Sequence, residues 1–510
     1  MSEGEQGRIV DRLVRSLEAD GEAVERIATH GAMVLLVGDR AYKIKRAVKY
    51  PYMDFSTLAL REGACRAELL VNRRTAPLLY LDVVAIVQDK DGRVRIGTSE
   101  AGEVVEWAVL MRRFDQQCLF DRLAASGGLD DARIGDLAAG IAIFHREATP
   151  MRAAGGADEM GRVILGNRDR LWEHEGVFLR SRVQAMTTRA LALLEHRRSL
   201  IETRRAAGFV RHCHGDLHLG NVALIEAKPV LFDAIEFNPS LAEIDVFYDL
   251  GFMLMDLEHR GHRDFANQLL CRYLEMTEDY DGLALLPVFL SVRAAVRAHV
   301  GAAAATFDKD AAGAQRRRQE AQRYLGLAET YLDPAPARLV AVAGVSGTGK
   351  SSVARALAPG LGPSPGAVVL RSDVVRKRMF GVDPTQRLPQ SGYARGVSDR
   401  VFGSIAEAAE RILAAGHAAI ADAVYGEDRH RRAIAAAASK TGAPFAGLWF
   451  AAPQALLEHR IRVRQGDVSD ADVQVLRSQL AHVAPPKDWS HIDASGSLAE
   501  VVARAAGAVA

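Results

Sequence analysis

An excess of charge of either sign is what this chain most conspicuously lacks. Its 510 residues carry 65 Lys and Arg against 64 Asp and Glu, a formal net charge of +1. No overall field therefore draws it to nucleic acid or to an anionic membrane surface. Cysteine is scarce too: Cys65, Cys118, Cys213 and Cys271 are scattered without C-x-x-C spacing. That argues against a disulfide framework or a zinc ribbon and for reduced thiols in the cytoplasm. The opening MSEGEQGRIVDRLVRSLEAD has no apolar stretch of the signal-peptide kind, and no uninterrupted apolar run approaches the roughly 18–20 residues of a membrane span. The expectation is a cytoplasmic protein with neither nucleic acid nor membrane as partner.

What is present fits a multi-domain enzyme. Hydrophobic residues make up 49% and charged ones 25%, ordinary globular values, and 510 residues exceed what one core supports. Residues 1–30 read as a helix leading into a turn. MVLLVGDRAYKIK (33–45) reads as a hairpin around Gly38-Asp39-Arg40. Residues 55–74 read as a helix entered after the capping candidates Asp54 and Ser56, followed by the strands VVAIVQ, RVRIG and VVEWAVLM. From there to about 330 the pattern is helical, broken at 206–237 by the short strands NVALIE and PVLFDAIEF. Asp333-Pro334-Ala335-Pro336 cannot continue a helix and marks a domain boundary. Beyond it, RLVAVAG, VVLRSD, HAAIADA and AGLWFAA alternate with helices around 396–415, 428–440 and PQALLEHRIRVRQ. That alternation predicts a parallel, helix-flanked sheet.

Two phosphate-handling signatures stand in the chain. The first is His214-Gly215-Asp216-Leu217-His218-Leu219-Gly220-Asn221. A phosphoryl donor needs its metal held and the acceptor hydroxyl placed beside a carboxylate. Asp216 would orient that hydroxyl and take its proton, Asn221 would hold a metal ion, and Asp233, after the strand PVLF, would add a second metal ligand. One such Asp alone reads as a turn cap; the three in this order carry the reading. His212, His214 and His218 read as strand and loop residues rather than as a metal cluster.

The second signature, Gly344-Val345-Ser346-Gly347-Thr348-Gly349-Lys350-Ser351, is a Walker A loop between an apolar strand and the helix SSVARAL. Its glycines Gly344, Gly347 and Gly349 let the N–H groups of the loop, from Ser346 through Thr348 to Ser352 at the helix start, turn inward around phosphates. Lys350 would reach the β/γ-phosphates and Ser351 would ligate Mg²⁺.

Residues 25–330 resemble the aminoglycoside phosphotransferase and choline kinase superfamily through H-G-D-x-x-x-x-N. The resemblance implies an α+β, two-lobed, protein-kinase-like domain over 1–333, with an N-lobe at 1–113 and a C-lobe at 114–333. It implies Lys43, in Ala41-Tyr42-Lys43, on the donor phosphates and Glu68 as its partner; Lys45 and Glu62 remain rivals. Asp249 resembles a structural Asp bracing the catalytic loop, with helix capping as the other reading. No G-x-G-x-x-G precedes the lysine strand, where His30-Gly31 stands instead.

Residues 338–510 resemble small P-loop kinases of the gluconate kinase, chloramphenicol phosphotransferase and nucleoside-monophosphate kinase kind, an α/β P-loop fold. That implies Asp373 as acceptor of the hydroxyl proton, Arg376 and Arg429 on substrate, and Asp422 in the Mg²⁺ shell. It also implies Arg460 and Arg464 as lid arginines, and HIDASGSLAEVV beside adenine. The whole chain is similar to a bacterial family described as bifunctional aminoglycoside phosphotransferase-like and ATP-binding proteins. The implied activity is ATP- and Mg²⁺-dependent phosphoryl transfer to hydroxyl groups of small molecules at two nucleotide sites. The missing glycine loop keeps a rival open: a regulatory protein in which one kinase-like domain is silent and gates the other. An arginine-rich, lysine-free stretch at 162–211 argues against a polycationic acceptor.

Overall fold

The computed structural model describes residues 2–50, 53–383, 386–463 and 469–509. The chain forms two compact units that do not follow chain order: Met1–Met160 with Arg198–Asp256, and Gly161–Arg197 with Leu257–Ala510.

The first unit is built on a six-stranded antiparallel sheet. Its spatial order is Val24–Ala28, Ala32–Val37, Arg40–Lys45, Glu103–Arg112, Tyr80–Gln88 and Val94–Gly97. The hairpin read around Gly38 is present, with Val37 opposite Arg40 and Gly38 at φ +55°. The opening helix is shorter than its sequence pattern predicts. It ends at Ala19, Gly21 turns the chain at φ +89°, and Val24–Ala28 pairs with the next strand. Ladder hydrogen bonds to a neighbour override local propensity there.

The following helix, Leu58–Asn72, is capped by Thr57, whose hydroxyl accepts the Leu60 N–H at 3.2 Å. The predicted caps act otherwise: Asp54 Oδ1 accepts from the Ser56 hydroxyl at 2.6 Å. The cap fixes the phase of the helix, and at near-helical spacing Arg61, Cys65, Glu68 and Asn72 face inward with no exposed surface. Arg61 Nε lies 2.9 Å from Glu106 of the sheet, and both side chains are wholly buried. Below this layer, the loop 213–221 runs between two short antiparallel pairs, Val210–His212 with Glu243–Asp245 and Val222–Ile225 with Lys228–Leu231.

The second unit contains a five-stranded parallel sheet. The order is Val368–Arg371, Ala419–Asp422, Leu339–Ala343, Phe445–Ala451 and Ser490–Asp493. All five residues of the central strand Leu339–Ala343 are buried, which is why it reads as an unbroken apolar run. The predicted parallel sheet is thus present. Three helices had no prediction: Ser372–Met379, directly after the strand Val368–Arg371, Val473–His482 and Leu498–Val509. The helix Arg263–Thr277 belongs to this unit through Asn267, whose Nδ2 donates to the Ala367 carbonyl at 3.0 Å. Among the described residues, Asp281–Phe307 is the stretch long and apolar enough to cross a membrane. Of its most apolar window, 72% is buried within the fold, as befits a core helix.

Candidate active site

In the first unit, alternation along Arg40–Lys45 puts Lys43 and Lys45 on the same face. Lys43 Nζ lies 2.7 Å from Glu68 Oε1 and also pairs with Asp233, while Lys45 pairs with Glu68 and Glu236. Burial alone would lower the pKa of Lys43, but the Asp233 and Glu68 carboxylates outweigh it and hold the ammonium well above its usual range. Burial likewise opposes ionisation of Glu68, yet Lys43 and Lys45 pull its pKa below the ordinary value. Both lysines are therefore charged and share one carboxylate. Glu62 takes no part and pairs with Arg66 at 2.8 Å.

The loop carrying Asp216 is held from below. Asp249, fully buried, accepts the N–H groups of His214 at 3.0 Å and Gly215 at 2.9 Å, and His145 Nε2 lies 3.1 Å from it. Gly215 has φ +82°, and a Cβ there would lie 2.8 Å from the Leu241 carbonyl oxygen. Asn221 Nδ2 donates to Asp216 Oδ2 at 3.0 Å and to the Asp216 carbonyl at 2.9 Å. Backbone bonds from Phe232 N–H to Asn221 O and from Ile235 N–H to His214 O, both 3.0 Å, stitch the Asp233 segment to this loop. Asp233 sits at φ +62°, a conformation costly for a residue with a Cβ, and its N–H donates to the Tyr80 hydroxyl at 3.2 Å. Lys43 contacts both Glu68 and Asp233, and Asp216 touches Asn221.

His214 Nε2 lies 3.0 Å from the Phe232 carbonyl, and burial lowers its pKa, so the ring is neutral and structural. His218 Nδ1 accepts the Gly220 N–H at 3.1 Å. Neither belongs to a metal cluster; among the described residues, the group close enough to share an ion is His145, Cys213 and Asp249. Asp249 is already committed to the loop. Sequence reasoning missed Glu236 and Tyr80. The K-x-K of Lys43 and Lys45 set against the D-x-x-E of Asp233 and Glu236 is the signal that was available.

In the second unit the Walker loop leaves the central strand and opens the helix Lys350–Leu357. A Cβ at Gly344 would lie 2.5 Å from the Phe450 carbonyl oxygen, and one at Gly347 2.9 Å from that of Leu457. Gly347 and Gly349 take φ +85° and +80°, which turns successive N–H groups to one side. A cavity of about 400 Å³ opens there, lined by 346–353 together with Asp373, Arg460, Ala494, Gly496, Leu498 and Val501. The stretch predicted beside adenine thus contributes to its wall. A second cavity, about 520 Å³, is lined among others by Arg371, Arg376, Tyr393, Asp422 and His430. Ser346, Lys350, Ser351, Asp373 and Ser469 border both.

Burial raises the pKa of Asp373, the neighbouring Lys350 offsets part of that rise, and the Asp422 charge adds to it. Asp422 is 2% exposed; its Oδ1 has no hydrogen-bond partner, and Arg371 Nε lies 3.6 Å from its Oδ2. An orphaned buried carboxylate oxygen in the cavity that Ser351 also lines suits a divalent cation. Arg376 borders the second cavity, donates to the Gly392 carbonyl at 2.8 Å and stacks 4.9 Å over Tyr393. Arg460 borders the first cavity and donates to the Gly496 carbonyl at 3.5 Å. Arg429 lines neither cavity; it pairs with Asp399 at 2.7 Å and Glu427 at 2.9 Å. Arg464 lies outside the described residues. Sequence reasoning also missed Ser469, Asp470, Tyr393 and Gln479, which sit on segments with no phosphate motif.

Residues 339–486 match the family model described as AAA domain. The chain is similar to Uncharacterized protein Rv2004c of Mycobacterium tuberculosis and to Uncharacterized protein Mb2027c of Mycobacterium bovis. Each is 29% identical over 482 residues, covering 92% of both chains. Among solved structures, a gluconokinase from Sinorhizobium meliloti aligns with 34% of this chain and 91% of its own, at 22% identity and a TM-score of 0.26. An ethanolamine kinase from Plasmodium vivax aligns with 59% of this chain and 82% of its own, at 8% identity and a TM-score of 0.36. The AAA-domain match begins on the central strand of the parallel sheet and includes the whole Walker loop.

Proposed function

We propose that residues 338–510 form an ATP-dependent phosphotransferase acting on a hydroxyl group of a small molecule. The observation that carries this is the shared wall of the two cavities, where Lys350, Ser351 and Asp373 face both the phosphate-cradling loop and the neighbouring space. The acceptor oxygen bonds to the γ-phosphorus as the bridging β–γ P–O bond breaks; the hydroxyl proton passes to Asp373 and ADP leaves. Lys350 and Arg460 offset phosphate charge, and Arg376 holds the acceptor. Mg²⁺, held by Ser351 and Asp422, would neutralise the phosphate oxygens. The second cavity beside the carboxylate supports a bound acceptor over water.

For residues 1–333 we infer a second phosphotransferase site, with Asp216 as base, Asn221 and Asp233 toward metal, and Lys43, held by Glu68, on the donor phosphates. One observation favours the regulatory alternative for this half: the Asp233 carboxylate is already paired with Lys43.

The test is ADP release from ATP and Mg²⁺ across a panel of hydroxylated metabolites, for the parent chain and for Asp373→Asn. Acceptor-stimulated release should fall about 10²- to 10⁴-fold in the variant, with ATP binding kept, because a general base is lost without emptying the donor pocket. A release rate that no acceptor changes would leave the phosphotransferase reading without support.

A further inference from the structure

The helix Val473–His482 lies outside the Walker motif, yet it touches the loop. The Ser346 N–H donates to Gln479 Oε1 at 2.8 Å. Leu476, fully buried, seats this helix in an apolar cluster with Val345, Leu457 and Ile461, so packing fixes where Gln479 stands. Ser346 borders both cavities, whereas Gln479 borders only the second, which Asp373 also lines. The segment entering this helix makes a related contact: the Ser469 side chain hydrogen-bonds the Asp373 carboxylate.

A carboxamide offers an acceptor oxygen and two N–H donors on one planar group. With its oxygen tied to the loop, Gln479 has both donors left, and among the described residues no acceptor takes them. They stand where the loop meets the second cavity. A phosphoryl group in transit spreads negative charge over its equatorial oxygens, and preorganised neutral donors stabilise that charge without themselves titrating.

We propose that Gln479 is a catalytic residue of the P-loop reaction: its oxygen fixes the Ser346 amide, and its NH₂ group donates to the phosphoryl group as it passes between the cavities. It forms no bond to phosphorus and moves no proton; Asp373 takes the proton. The assignment rests on the phosphotransferase reading of this site.

The experiment uses the full chain with Asp216→Ala, so that the other half contributes no transfer, and water as the acceptor. ADP release at saturating ATP and Mg²⁺ is measured beside mant-ATP binding, counting only the binding that Lys350→Ala removes. Gln479→Ala loses the carboxamide; Gln479→Glu can still accept the Ser346 N–H but has no donor. Both should slow ADP release about 10- to 100-fold, somewhat below the loss of a full oxyanion donor, with mant-ATP affinity within about threefold of the parent. Retention of the parental rate by either variant overturns the proposal, as does a loss of affinity that matches the loss of rate. Lys350→Ala keeps the two readings apart. If it changes neither release nor binding, the phosphotransferase reading of the site fails; if it abolishes both while the Gln479 variants match the parent, only the role of Gln479 fails.

Discussion

Asp373 shows how a single residue's surroundings set its chemistry. A carboxylate base works only when ionised, and burial together with the Asp422 charge lifts its pKa above the ordinary Asp range despite Lys350. Its ionised fraction therefore falls as pH drops through that raised value, and in the role we propose for it activity should fall as well. The acid limb of kcat/KM for the acceptor-dependent reaction should lie above the ~4 of an ordinary Asp. A profile flat down to pH 4 would remove Asp373 from the role of base. Glu106 gives the matching case for stability. It pairs with Arg61 and also accepts from Gln6 Nε2 at 2.8 Å, with no solvent to replace either partner. Glu106→Ala leaves a buried guanidinium uncompensated and should cost about 3–5 kcal/mol in chemical denaturation. Neither environment was legible in the sequence, because desolvation is a property of neighbours distant in the chain. Asp373 was legible as a candidate only through the resemblance to small P-loop kinases and its place after a strand.

Elements were legible where their signal is local. The strand Leu339–Ala343, the loop and the helix Lys350–Leu357 occupy consecutive residues, so apolar run, glycines and helix start specify one another. The glycine requirement there can be measured. Gly347→Ala would place a Cβ 2.9 Å from the Leu457 carbonyl oxygen at φ +85°. Strain of about 1–3 kcal/mol should weaken ATP binding roughly 5- to 150-fold in calorimetric titration. Elements whose reason lies elsewhere escaped notice. Val24–Ala28 is a strand because Ala32–Val37 offers it a ladder, and Val473–His482 is positioned by Leu476 against Val345 of the Walker loop. The phase of Leu58–Asn72 was also open until Thr57 capped it; that cap puts Glu68 inside and leaves Glu62 to Arg66.

At the scale of the whole molecule, the two nucleotide sites we propose should be separable by mutation. Asp216→Ala is expected to abolish transfer at its own site while leaving ATP bound there, and to spare the transfer that depends on Lys350. Lys350→Ala should abolish binding at the Walker loop. Product profiles of the two variants, resolved by mass spectrometry, check this; an Asp216→Ala profile identical to the parent would leave the first half without a catalytic role. The functional division we propose runs along the chain, at about 333–338. Packing divides it differently, because Asn267 and Cys271 of the helix Arg263–Thr277 bond to Ala367 beside the parallel sheet.

By itself the sequence determined the parallel sheet, the Walker loop and the candidate identities of Asp216, Asn221 and Asp233, since each is encoded in a few neighbouring residues with fixed spacing. Tertiary structure alone decided that Lys43 and Lys45 share Glu68, that Glu236 joins them, that Arg429 pairs with Asp399 and Glu427 and that Gln479 reaches Ser346. Those are choices among ion-pair and hydrogen-bond partners brought close only by packing, and no local pattern of side chains carries the distance between them.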